Sequence, residues 1–121
     1  MDKRSMYIGP VAGTSFEPAK TNLRDMVVAL NEATDDHPFK LKLVTDPHNK
    51  YDSNAIKVVA DFESKEYFVG WVPRDYNHNI CKQIKNSLEE DGLSVGCELE
   101  KFNVFDDRVV GLEIDISLIR E

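Results

Sequence analysis

The sequence predicts a mainly β domain with two helices (α+β), in the order β-α-β-β-β-α-β-β. Its six antiparallel strands are expected to curl into a small barrel. Three observations carry this. Short β-branched and aromatic segments alternate apolar with polar side chains, as half-buried strands do. Two other segments, between Asn22 and Ala33 and between Pro73 and Gly92, repeat their apolar residues at helical spacing. The strands are joined by short turns, which favours antiparallel neighbours, and so short a chain buries six apolar faces most easily by curling.

The elements follow in chain order. Met6 to Phe16 is mostly apolar or small, and Gly9-Pro10 and Gly13 mark a bend or bulge in this first strand. Leu23, Met26, Val27 and Leu30 then lie on one helical face, with Thr21 or Asn22 as N-cap. Phe39 to Leu43 alternates strictly. Asp46 to Asn54 is polar and rich in turn formers, hence a loop. Ala55–Ala60 and Tyr67–Val72 read as a hairpin turning at Glu63-Ser64-Lys65. Pro73 ends its second strand. In the next helix Tyr76, Ile80, Ile84 and Leu88 share a face, and Gly92 is the stop. Val95, Cys97 and Leu99 alternate with Gly96, Glu98 and Glu100. After an Asp106-Asp107 turn, Leu112 to Leu118 alternates again, so the closing hairpin has an acidic outer face.

The 121 residues form a single domain, 1–121, long enough to bury its own core. A hydrophobic fraction of 41% argues against disorder, and no apolar run nears the roughly 18 residues of a membrane span. The start, Met-Asp-Lys-Arg-Ser-Met, has no secretory character, and Cys81 and Cys97 make no Cys-x-x-Cys pair. A cytoplasmic or, in a eukaryote, nuclear location is therefore expected. The net charge of −7 argues against a general, salt-driven nucleic-acid binder. It is unevenly placed, however. Residues 1–85 hold twelve basic and twelve acidic side chains, whereas residues 86–121 hold three against ten. The first two-thirds can thus present a neutral or locally basic face.

Catalytic signatures are missing: no Gly-rich phosphate loop, no Gly-x-Ser-x-Gly and no His-Glu-x-x-His. No enzyme activity or cofactor is expected. His37, His48 and His78 stand at no ligand spacing, and the trio His48, Asp46 and Asp52 has the composition of an ordinary polar loop. Cys81 and Cys97 lie among apolar residues and read as buried small hydrophobes.

Three segments stand out together: Val11-Ala12-Gly13-Thr14-Ser15-Phe16, the run from Asp46 through Tyr51-Asp52-Ser53-Asn54-Ala55-Ile56 to Val58, and Val69-Gly70-Trp71-Val72-Pro73-Arg74. In this order and spacing the chain resembles a HIRAN domain, from about Met6 to Gly92. That module occurs in fork-remodelling helicase-like ATPases and as small free-standing proteins. The resemblance implies a modified oligonucleotide-binding (OB-like) barrel that grips the 3′ end of single-stranded DNA, in DNA repair, replication or phage DNA metabolism. It also implies the roles of four residues. Phe16 and Tyr51 would contact terminal bases, Asp52 the 3′-hydroxyl, and Arg74 a phosphate. A basic residue that helicase-type members carry before the first-strand aromatic is Ser15 here, and Trp71 is an extra aromatic.

The residue chemistry agrees with this reading. Aromatic faces stack on any base, and a carboxylate accepts from a hydroxyl but repels a phosphate. Lys50 and Lys57 flank the loop and would follow the backbone. Each residue also has a structural reading: Asp52 and Asn54 satisfying loop N–H groups, Phe16 and Trp71 in the core, Arg74 in a surface ion pair. A second function is an adaptor that binds a repair or replication protein through the acidic hairpin without touching DNA.

Overall fold

The computed structural model describes residues 2–32 and 39–121. The elements are β1 (Asp2–Pro10), α1 (Ala19–Glu32), β2 (Lys40–Thr45), β3 (Ile56–Phe62), β4 (Lys65–Trp71), α2 (Arg74–Glu89), β5 (Leu93–Phe105) and β6 (Arg108–Arg120). Ala33, the expected end of the first helix, and His37 lie outside the described residues.

All strand pairs are antiparallel and the order is β1-β6-β5-β2-β3-β4. This sheet is open, with β1 and β4 as its edges, and the expected closed OB-like barrel is not formed. The reason is how the pairing is divided. β5 and β6, 13 residues each, form one long ribbon flanked by β1, while β2, β3 and β4 form a second antiparallel group. The groups join at a single register pair, Leu41 with Cys97. Closure needs a consistent stagger of hydrogen bonds all the way round. The edges meet instead at one bridge, Ala12 with Trp71, just beyond the end of β1. The sequence pattern reports which residues face inward, and an open, strongly bent sheet satisfies that pattern as well as a barrel does.

Local signals explain most boundaries. The β3–β4 turn uses Glu63 and Ser64, and the β5–β6 turn uses Asp106 and Asp107, all at positive φ between 52° and 66°. Two consecutive left-handed residues give the hairpin turn whose twist matches the strands. α1 begins earlier than expected, because Glu17 supplies the cap rather than Thr21 or Asn22. Its carboxylate accepts from the Thr21 N–H at 2.8 Å and the Thr21 hydroxyl at 2.5 Å. Asn22 Nδ2 instead reaches the Phe68 carbonyl at 3.0 Å, fastening α1 to β4.

The core lies between the concave sheet and the helices, with Met26, Ile56, Val58, Val69, Leu112, Ile114 and Ile116 fully enclosed. Val11, Leu23 and Ile80 join the same cluster. The buried stripe of α2 is Asn77, Ile80 and Cys81, with Ile84 partly buried, so the expected face is rotated. Tyr76 is exposed, its ring 4.6 Å from that of Tyr7, and Leu88 is 83% exposed. Three carboxylates on the expected acidic face of the closing hairpin have partners, two of them cationic. Glu98 pairs with Lys3, Glu113 with Lys101, and Asp115 accepts from Ser5.

Candidate nucleic-acid interface

The loop between β2 and β3 folds on its own side chains. Asn49 Oδ1 accepts the N–H groups of both Tyr51 (2.9 Å) and Asp52 (3.1 Å), and Asn49 Nδ2 donates to Asp46. One asparagine thus holds the backbone that presents Tyr51 and Asp52. Tyr51 projects with 81% of its surface exposed. A phenol that does no packing in this fold is available to a ligand.

Asp52 points the other way, toward α2. One carboxylate oxygen accepts the Asn54 N–H at 2.9 Å, and the other accepts from Asn77 Nδ2 at 2.7 Å. Arg74 Nε stands 3.9 Å from the second oxygen. The Asn77 hydrogen bond and then the Asn54 N–H hold this carboxyl below its usual range, outweighing a desolvation effect that is itself larger than the help from the Arg74 charge. Asp52 therefore remains an acceptor-only carboxylate. Its side chain is 22% exposed, whereas that of Arg74 is 84% exposed and free to turn to an incoming anion.

Trp71 closes the opposite wall. It exchanges two 2.8 Å hydrogen bonds with Ala12, and Gly13 lies against its indole. Gly70 before it has φ +144°, and a Cβ there would overlap the Ala12 carbonyl and Val11. Hence the glycine in the Val-Gly-Trp segment: only a residue without a side chain lets these backbones touch. Phe68 packs edge-on to the Trp71 ring at 5.3 Å.

Tyr51, Asp52, Trp71 and Arg74 line one cavity of about 490 Å³ together with Ala12, Asn49 and Asn77. Four of the seven residues singled out in the sequence are thus brought together. The lysines stand just outside: Lys50 holds its ammonium 5.2 Å from the Tyr51 ring centre, and Lys57 holds its own 6.0 Å from that of Trp71. Phe16 is not brought into this lining. It sits beyond the strand, on the turn before α1, and is 73% exposed.

Sequence reasoning missed Asn77, which is 4% exposed and orients Asp52. Its signal was a polar residue interrupting a stripe at helical spacing (77, 80, 81, 84), hidden by starting the apolar face at Tyr76. Asn49 was passed over as one of many turn formers. The trio of His48, Asp46 and Asp52 does not assemble. Among the described residues no group of three His, Cys, Asp or Glu side chains could hold a metal ion. Among them, too, no helix is long and apolar enough to cross a membrane.

An antiparallel sheet that carries an aromatic-lined, partly cationic cavity beside a helix has the form of a binding module. The HIRAN domain model matches residues 6–108, and the chain belongs to the HIRAN family. As a family, HIRAN domains are non-catalytic and engage the 3′ ends of single-stranded DNA. Comparison with curated proteins and with solved structures finds no match.

Proposed function

We propose that this domain holds single-stranded DNA by its free 3′-OH end, as a binding module in DNA repair, replication or phage DNA metabolism. The observation that carries the reading is the setting of Asp52. A carboxylate held ionised by Asn77, Asn54 and Arg74 stands in one cavity with two aromatic rings and a guanidinium. The terminal hydroxyl donates to Asp52, because a carboxylate offers only lone pairs. Tyr51 and Trp71 give faces on which a terminal base stacks, worth about 1–3 kcal/mol each. Arg74 swings from Asp52 to the adjoining phosphate, and Lys50 and Lys57 add charge beside the rings. Phe16 takes the next base from the turn that follows Ala12.

A terminal phosphate would bring a second anion against Asp52, so the site selects the hydroxyl. Fluorescence anisotropy on strands that differ only in a 3′-OH or a 3′-phosphate tests this. Tighter binding of the hydroxyl strand is expected. Equal binding of both, or no binding at low salt, would overturn the end-reading mechanism. The adaptor alternative is less well supported, because two carboxylates of the acidic hairpin face, Glu98 and Glu113, are already paired with Lys3 and Lys101.

A further inference from the structure

The site above ends at Arg74, yet the cations on α2 do not. Arg74, His78, Lys82 and Lys85 follow one another at spacings of four, four and three residues, and all four are exposed. At 3.6 residues per turn these positions fall within an arc of about 80°, and they span about 16 Å along the helix. This stripe is distinct from the buried face of Asn77, Ile80 and Cys81. It also borders a second cavity, of about 350 Å³, whose lining includes Asn54, His78, Lys82 and Lys85.

Two contacts join this stripe to the Asp52 site. Asn77, in the first turn of α2, donates to Asp52, and Asn54 Nδ2 lies 3.4 Å from His78 Nδ1. The same loop that presents Tyr51 and Asp52 therefore forms one wall of the cationic track. Acidic groups mark its limits. Glu89 lines the far end of the second cavity, and Asp75 flanks the start of the helix.

We propose that this face of α2 is a second nucleic-acid contact, which carries the phosphates of the single strand leading up to the bound 3′ end. It rests on the end-binding reading and extends it. Successive residues of the stripe lie about one helical turn apart, a step comparable with that between neighbouring phosphates of an extended strand. Arg74, Lys82 and Lys85 supply the charge and His78 a polar ring between them. The contact is to backbone only, so it adds affinity without base preference. It also counters the overall negative charge, by giving a long strand cations that a bare 3′ end never meets.

The test compares the unaltered protein with the double variant Lys82→Ala/Lys85→Ala, on a trinucleotide and on a strand of roughly 12 nucleotides. Both side chains are exposed, so the fold is unaffected, which circular dichroism verifies. Losing two phosphate contacts should lower the slope of log affinity against log salt by about 1.4 on the long strand. Between 50 and 200 mM salt, the unaltered protein's affinity then falls about sevenfold more than the variant's. Trinucleotide binding and the preference for 3′-OH over 3′-phosphate should not change. An unchanged slope on the long strand, with that preference intact, overturns the α2 track and leaves end reading standing. A reduced slope with no end preference in either protein keeps the track and sinks end reading. If neither protein binds either strand, both fall.

Discussion

Replacing Gly70 with alanine probes the joint that holds the candidate site together. At φ +144° an L side chain is strained by about 1–3 kcal/mol. The added Cβ also overlaps the Ala12 carbonyl oxygen and approaches Val11 Cγ1 to 2.5 Å. Neither neighbour yields freely. Val11 is a core residue, and the Ala12 carbonyl accepts the Trp71 N–H at 2.8 Å, with the reciprocal bond also at 2.8 Å. Relief of the clash breaks this two-bond bridge, at about 0.5–1.5 kcal/mol per bond. The total is about 2–6 kcal/mol, a large share of the roughly 5–15 kcal/mol that stabilises a small domain. Trp71 is the single tryptophan of the chain and stands at the joint, so its fluorescence reports the change directly. Urea unfolding should show a lower midpoint with a similar slope, and the native emission should shift as the Ala12–Gly13 segment leaves the indole. A loss below about 0.5 kcal/mol, the range of ordinary surface substitutions, with unchanged emission would refute the argument.

Four further outcomes follow from the same geometry. Asp52→Asn should cut the preference for a 3′-OH over a 3′-phosphate by about fivefold or more in anisotropy titrations, since a neutral amide no longer repels the phosphate. The Asp52 carboxyl is held below its usual range when folded, so its contribution to stability is present above the ordinary carboxylate range and lost as pH falls through the lowered value. Asp52→Asn should accordingly flatten the acid side of the stability–pH curve measured by urea unfolding. Tyr51→Ala should weaken DNA binding by about 1–3 kcal/mol yet leave the urea midpoint unchanged, because the ring is largely exposed. Burial, with Asp115 and Glu98 nearby, pushes the Cys97 thiol up to about 12, and Cys81 is buried. Both thiols should resist a thiol reagent at pH 8 in the native state and react together in urea.

Much of this was legible along the chain because it rests on neighbours in sequence. Alternation placed the later strands, although β1 runs Asp2–Pro10 rather than the expected Met6–Phe16. Pro73 and Gly92 bracketed α2, and the paired turn residues at 63–64 and 106–107 marked both hairpins. The loop carrying Tyr51 and Asp52 was readable for the same reason, since Asn49 folds it from two and three residues away. What could not be read there is who meets whom across the fold. Periodicity says that a residue faces inward, but not how far two strands stay paired, so the single Leu41–Cys97 pair and the open sheet went unseen. The same holds for Asn77. Its meaning lies in a carboxylate 25 positions away, and the α2 face rotated once tertiary packing chose which stripe to bury.

Local pattern by itself determined most of the secondary structure, and the resemblance to the HIRAN family singled out a short set of candidate site residues. Tertiary structure alone decided that Tyr51, Asp52, Trp71 and Arg74 share a cavity while Phe16 stands outside its lining. It also settled that the sheet remains open, joined at its edges by the Ala12–Trp71 bridge. The physical reason is range. Backbone propensity and turn chemistry act over a few residues, whereas a binding site is made by side chains that burial brings together from distant parts of the chain.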